Sequence, residues 1–347
     1  MAWSGSNPGE STNLKRRFFS LPTLVSLAIA GAFLVFVTTR FDVDLGSTWE
    51  QVKGSNPWYL ALALLVHYTT FIFRGARWQL LLRNTQGKDD PVPGVLYCGQ
   101  LLLLGWFANA VGWLRLGDAY RAYLYRDEQG ASFSRTIGTI LAERTLDAVL
   151  VVLMLSAAAP FLVKGNGEAA WAVLAVAGFL VLLLAAILGA LTWAREWAFR
   201  KMPGWLGERY LRFREGTLGS FRRVLPATLW GLLGWLAEVG RFYLVVQALN
   251  LDLSLAVIVF LTLANSLLTL FPTPGGIGAV ESGVSSLAVR LSSLPSSAAV
   301  ALVLADRAIS YFSIIVVGVL LFLVRHAFRR RRSGPDRPVQ LGSIEDQ

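Results

Sequence analysis

Six apolar runs of roughly the length that crosses a bilayer as one helix, 21–39, 57–73, 137–163, 169–193, 225–249 and 298–323, limit what this chain can fold into more than any other feature. At membrane depth an unpaired backbone N–H or C=O costs several kcal/mol, so such runs must be helical. Hydrophobic residues make up 54% of the 347, and the charges gather in blocks between the runs. The chain therefore reads as an all-α polytopic membrane protein with about six to eight transmembrane helices. Its first 20 residues are polar and end near Lys15, Arg16 and Arg17, as a signal peptide's would. The following run is longer than a signal h-region and has no clear small-residue cleavage site, so an uncleaved first helix is expected.

Several chemistries are excluded early. A single cysteine, Cys98, rules out an intramolecular disulfide framework, and two histidines leave little for a zinc or di-metal centre, so no metal and no cofactor are expected. The net charge of +10 sits mostly beside apolar runs, where the insertion rule and anionic lipid explain it better than nucleic acid does. No Gly-x-x-x-x-Gly-Lys-Ser/Thr run offers an ATP site.

Charge placement predicts the topology. The N-terminal arm (1–20), the turn with Arg74, Arg77, Arg83 and Lys88, the linker 195–224 and the tail 325–347 are basic and should be cytoplasmic, whereas the loop 40–56 with Asp42, Asp44 and Glu50 should face out. Both flanks of the interrupted stretch 92–112 are then cytoplasmic, so a first re-entrant region is expected at about 91–135. A second, at 253–291, is broken at Pro272-Thr273-Pro274-Gly275-Gly276 and must start and finish outside, as a hairpin or a pair of crossings. The two would open from opposite faces, giving an inverted repeat within one transmembrane domain, 21–324. The linker should lie along the inner surface as a basic amphipathic helix.

Charged motifs inside the runs carry the functional expectation. Leu141-Ala142-Glu143-Arg144 and Leu304-Ala305-Asp306-Arg307 are near twins, each preceded by a Gly-rich, acid-containing break. Charges at bilayer depth cost roughly 2.5–3.5 kcal/mol each, so Glu143, Arg144 and Asp147, Glu238 and Arg241, and Asp306 and Arg307 should face the interior and pair. Structural ion pairing between helices is the plainer alternative. At the second break, Gly275, Gly276 and Gly278 would bring the next half-helix's amides close to a phosphate, although a kinked ordinary helix fits the same spacing. Arg115 and Arg121, with Tyr120, Tyr123 and Tyr125, would form a cationic and aromatic collar at the cytoplasmic rim, or simple interfacial anchors. His67 should hydrogen-bond between helices. Trp49, Trp58, Trp193, Trp197 and Trp205 read as interfacial belts.

The segment 109–147, with Gly117-x-x-x-Arg121 and Glu143-Arg144-x-x-Asp147, together with Pro274-Gly275-Gly276-Ile277-Gly278-x-x-Glu281 and Asp306-Arg307, resembles the lysylphosphatidylglycerol synthase transmembrane family over nearly the whole chain. That family supplies the flippase half of the bacterial multiple peptide resistance factor. The resemblance implies a lipid translocator with paired re-entrant elements. Arg115, Gly117 and Arg121 keep the first motif, but Trp113 stands at its proline position and Asp118 at its glutamate position. No soluble aminoacyl transferase domain follows Arg332, so the chain is not expected to make the aminoacylated lipid.

A phospholipid or lipid-linked anionic or zwitterionic headgroup is thus expected to enter past Arg115, Asp118 and Arg121, pass Glu143, Arg144, Asp147, Glu238, Arg241, Asp306 and Arg307, and leave past the break at Pro274 to Glu281. Movement would be downhill or ion-coupled, most simply to protons through buried carboxylates. Anionic lipid is the expected partner of the basic segments, and a homodimer is among the assemblies the chain allows. Two other readings remain open. Asp42 and Asp44 could serve a polytopic glycosyltransferase using a lipid-linked sugar, and the basic linker could dock a membrane enzyme onto a non-transporting scaffold.

Overall fold

The computed structural model describes residues 45–85, 92–112, 116–162 and 203–332, side chains as far as Arg325, and isolated positions between 178 and 189. The expected spans 21–39 and 169–193, the arm, the far tail, Asp42, Asp44 and Arg115 lie outside the described residues.

Two similar sets of helices follow one another. The first comprises α1 (Leu45–Lys53), α2 (Pro57–Thr85), α3 (Val95–Val111), α4 (Gly117–Gln129) and α5 (Phe133–Leu162). The second comprises α6 (Gly204–Ser220), α7 (Val224–Ala248), α8 (Leu255–Leu268), α9 (Ala279–Ser292), and α10 (Ser296–Arg307), which continues through a π turn (Ala308–Phe312) into α11 (Ser313–Arg332). No strand occurs among the described residues. Local chemistry sets several boundaries. Pro57 opens α2 where its missing N–H costs nothing, Ser254 Oγ accepts the Val257 N–H at the start of α8, and Gly130 ends α4 in the left-handed conformation at φ 67°.

Four helical stretches, 57–85, 133–162, 204–248 and 296–325, are long and apolar enough to cross a membrane. The pieces α3, α4, α8 and α9 are not. At 13 to 17 residues and roughly 1.5 Å per residue, each is shorter than a hydrocarbon core about 30 Å thick. They pair as α3 with α4 and α8 with α9, so each of the two stretches folds as a hairpin of short helices. The first hairpin differs from expectation in one respect. Its return leg is α4, the segment read from sequence as a rim collar.

The repeat is inverted. Helices α2 and α7 pack antiparallel: the Asn56 N–H donates to Ala248 O at 2.7 Å at one end, and Asn84 Nδ2 to Ser220 O at 2.9 Å at the other. Each half closes on its counterpart, with α5 against α8 and α11 against α3. Because a lipid solvent offers no hydrophobic drive between helices, close backbone approach matters. An added Cβ at Gly138 would sit 2.1 Å from Phe213 O, and one at Gly216 2.1 Å from Arg135 O, so α5 and α6 meet backbone to backbone. That contact corrects the expected surface helix. The later half of α6 is packed into the bundle, with Gly216, Thr217 and Ser220 buried.

A second correction concerns α2, which runs on to Thr85 instead of ending at Phe73. Arg74 and Arg77, read as a cytoplasmic turn, are buried within it. Large apolar side chains such as Leu65, Leu153, Phe161, Leu225, Leu236 and Leu320 point outward, an arrangement suited to lipid rather than water.

Candidate functional site

In the first half, the Arg77 fork holds two carboxylates of α5. Nη1 donates to Asp147 Oδ1 at 2.7 Å, and Nη2 to Glu143 Oε1 at 2.9 Å and Asp147 Oδ2 at 3.1 Å. Glu143 also accepts from Arg121 Nη2 at 2.8 Å, and Asp147 from Trp235 Nε1 at 3.1 Å. One turn across, Arg144 makes a two-pronged pair with Asp118 on α4, at 2.9 and 3.1 Å. In the second half, Arg241 bonds Glu238 Oε2 at 3.1 Å and Asp306. Arg307 Nε donates to Glu281 Oε1 at 2.6 Å, and its Nη2 to the carbonyl of Gly275 at 2.8 Å.

These pairs repeat in register. Asp118 precedes Arg144, and Glu281 precedes Arg307, by the same 26 residues. Arg77 and Glu143 are 66 apart, Arg241 and Asp306 65. The repeat that relates Glu143-Arg144 to Asp306-Arg307 thus relates their partners as well. It breaks at three charged positions, since Arg121 and Asp147 correspond to Val284 and Ser310, and Arg74 corresponds to Glu238.

The tips of the two hairpins meet at Tyr311, in the π turn. Its hydroxyl donates to Ala110 O at the end of α3, 2.9 Å away. Its ring lies under Gly275, where an added Cβ would fall 2.2 Å from Cε2 and where φ is 58°. Only glycine suits both demands. Arg307 stacks on the same ring at 4.7 Å.

Beside these tips lies a cavity of about 400 Å³, lined from both halves by Arg74, Arg144, Asp147, Glu238, Arg241, Gly275, Arg307 and Tyr311, among others. That space equals about a dozen waters, enough for a phosphodiester headgroup and too small for acyl chains. Arg74 enters it between the rings of Trp106 and Trp235, 5.3 and 5.4 Å from their centroids, and lies 3.7 Å from Asp147.

Of the residues singled out from sequence, Arg144, Asp147, Glu238, Arg241, Gly275 and Arg307 line the cavity. Asp118, Glu143, Glu281 and Asp306 stand behind it as partners of those arginines or their neighbours. Gly276 and Gly278 shape the second tip, both at positive φ. Arg121 is not at the rim. It is fully buried, paired with Glu143 and stacked 4.5 Å over Trp78. At the start of α9, Glu281 Oε2 accepts the Gly278 N–H at 2.7 Å, so that amide is already engaged. His67 lines the cavity with both ring nitrogens buried and unbonded, not as an interhelical donor. No group of three or more metal-ligating side chains occurs among the described residues.

Sequence reasoning missed Arg74, Arg77, His67, Trp106, Trp235, Asn265 and Tyr311. A usable signal existed for the arginines. The apolar run Trp78, Leu80, Leu81 and Leu82 resumes just after Arg77, which an ordinary loop would not need.

Among known proteins, the chain is similar to a UPF0104 membrane protein of Methanocaldococcus jannaschii, 30% identical over 63% of this chain and 94% of that one. It is also similar to a UPF0104 membrane protein of Methanothermobacter thermautotrophicus, 23% identical over 79% and 87%, and to one of Pyrococcus horikoshii, 19% identical over 86% and 96%. No solved structure matches it. The model of one family, described as the lysylphosphatidylglycerol synthase TM region, matches residues 23–318. With the inverted repeat and its duplicated ion pairs, that match, which spans most of the chain, places this membrane protein in the lysylphosphatidylglycerol synthase transmembrane family.

Proposed function

We propose that the protein is a lipid translocase, moving a phospholipid or lipid-linked headgroup between leaflets of the cell membrane while the acyl chains stay in lipid. One observation carries this reading: a cavity of headgroup size, with charged side chains set among apolar ones, lies where two broken hairpins from opposite ends of the bundle meet, and repeat-equivalent arginines, Arg144 and Arg307, line it from the two halves. An arginine fork matches a phosphate in two hydrogen bonds. Each of these arginines rests on a carboxylate, Asp118 or Glu281, which compensates its charge when no phosphate is present. A headgroup would leave one arginine for the other without stranding a cation in the membrane.

Arg83, Arg126, Arg135, Arg222, Arg223 and Arg325 occur at one end of the bundle, where α2 ends and α5 begins. That end is taken as cytoplasmic, with both termini on the same side and anionic lipid against the arginines. In this reading the chain moves lipid and does not make it.

The test is reconstitution into vesicles with acyl-labelled lipids, following leaflet exchange for wild type and for Arg144→Ala and Arg307→Ala. Exchange above that of protein-free vesicles, lost in both variants, is expected. Exchange no faster than in protein-free vesicles for every lipid would overturn the proposal.

A further inference from the structure

We propose that the cavity selects a zwitterionic headgroup, a phosphate joined to an ammonium, over a purely anionic one. This inference rests on the translocase reading and names its substrate class. It stands on the charges around the cavity and on the polar atoms there that have no partner.

The charges divide unevenly between the halves. Among the described residues, the first network holds Arg74, Arg77, Arg121 and Arg144 against Asp118, Glu143 and Asp147, an excess of one cation. The second holds Arg241 and Arg307 against Glu238, Glu281 and Asp306, an excess of one anion. The whole is neutral and polarised. The imbalance traces to one pair of repeat-equivalent positions, Arg74 in α2 and Glu238 in α7, which carry opposite charge and both line the cavity.

Among the bare atoms at the cavity, those of Arg74, Glu238 and Asn265 fall on the same two sides, and the two ring nitrogens of His67 are bare as well. Arg74 is 5% exposed and its Nε has no hydrogen-bond partner. Glu238 and Asn265, each 7% exposed, present Oε1 and Oδ1 without a donor, because their other atoms are held by Arg241 and Asp306. Buried polar atoms in folded proteins are almost always paired. Here the cationic side lacks an acceptor and the anionic side lacks donors. A phosphate near Arg74 and an ammonium near Glu238 and Asn265 would supply both. A monoanion would supply only the first and would leave a net charge buried at membrane depth, which is costly.

The experiment uses the full chain in nanodiscs, equilibrated with an equimolar mixture of dioleoyl phosphatidylethanolamine and dioleoyl phosphatidylglycerol, with retained lipid read by native mass spectrometry. Acyl-labelled forms of both are followed for exchange in vesicles. Wild type should retain phosphatidylethanolamine over phosphatidylglycerol by about tenfold or more, a modest part of what an unbalanced buried charge is worth. Glu238→Gln, which leaves the surroundings one charge positive, should shift the preference toward phosphatidylglycerol, and Arg74→Gln should shift it further away. Wild type retaining phosphatidylglycerol equally or better overturns the proposal without any variant having to fold. A well-folded Glu238→Gln protein with unchanged preference also overturns it. Displacement of the lipid by an equal concentration of soluble phosphoethanolamine would overturn the assignment to a lipid. Exchange without selectivity sinks this inference alone, whereas selective retention without exchange sinks the translocase reading and supports this one.

Discussion

Arg77 and Arg144 both pair with carboxylates in one network, yet replacing each with Met should have opposite consequences. The Arg77 side chain is fully buried and makes three hydrogen bonds, of 2.7, 2.9 and 3.1 Å, to Glu143 and Asp147. Removing one member of a buried ion pair costs about 3–5 kcal/mol, because the other charge is left unpaired. Glu143 would keep Arg121 at 2.8 Å, and Asp147 would keep Trp235 at 3.1 Å and Arg144 at 3.6 Å. The loss for Arg77→Met should therefore fall toward the lower bound, about 3 kcal/mol. The Arg144 and Asp118 side chains are 36% and 35% exposed, so water screens their pair and Arg144→Met should cost less than about 1 kcal/mol. Exchange should rank the other way. Arg144→Met should lower it by roughly tenfold to a hundredfold, the worth of a charged hydrogen bond to phosphate. Thermal midpoints from fluorescence-detected size-exclusion chromatography, run beside vesicle exchange, read both quantities. If Arg77→Met melts within about one degree of wild type, or if Arg144→Met is the less stable of the two, the division into a sealed pair and a cavity-facing pair is wrong.

Other outcomes follow from the geometry. Gly275→Ala should disturb the second hairpin tip by about 1–3 kcal/mol, from the contact with the Tyr311 ring and the positive φ together. Tyr311→Phe, which loses only the bond to Ala110 O, should cost about 1 kcal/mol, and thermal midpoints compare the two. Gly138→Leu should prevent α5 from seating on α6 and remove the monodisperse chromatographic peak, because the opposing atom is the backbone oxygen of Phe213. Cys98, fully buried and the only cysteine, should resist maleimide until the protein is denatured. Single cysteines placed at Asn250 and Arg222 would then report orientation, with Asn250→Cys labelled by an impermeant reagent from outside intact cells and Arg222→Cys only after lysis.

The class of the protein was legible in sequence because the bilayer permits so few solutions. Uninterrupted apolar runs must be helices, and the broken runs at 92–112 and 253–291 must be hairpins or kinks, whichever side chains they carry. The duplication of Glu143-Arg144 in Asp306-Arg307 was equally plain, since twin motifs need no third dimension to be seen. Assigning partners was harder. Composition places an arginine near the cytoplasm by default, so Arg74 and Arg77 read as a loop, and Arg121 as a rim anchor, until α2 and α4 were seen to carry them inward.

What the chain states by itself, then, is the periodic part: which segments lie in lipid, where they break, and which charges occur twice. Folding alone decided which charge meets which, that Tyr311 touches both hairpin tips, and that Arg74 and Glu238 are left partly unpaired around one cavity. The physical reason is range. Hydropathy and backbone hydrogen bonding act on neighbours along the chain, whereas an ion pair between residues 65 or 66 apart depends on how α2 lies on α5 and α7 on α10, which the glycine contacts and the inverted packing of the halves determine.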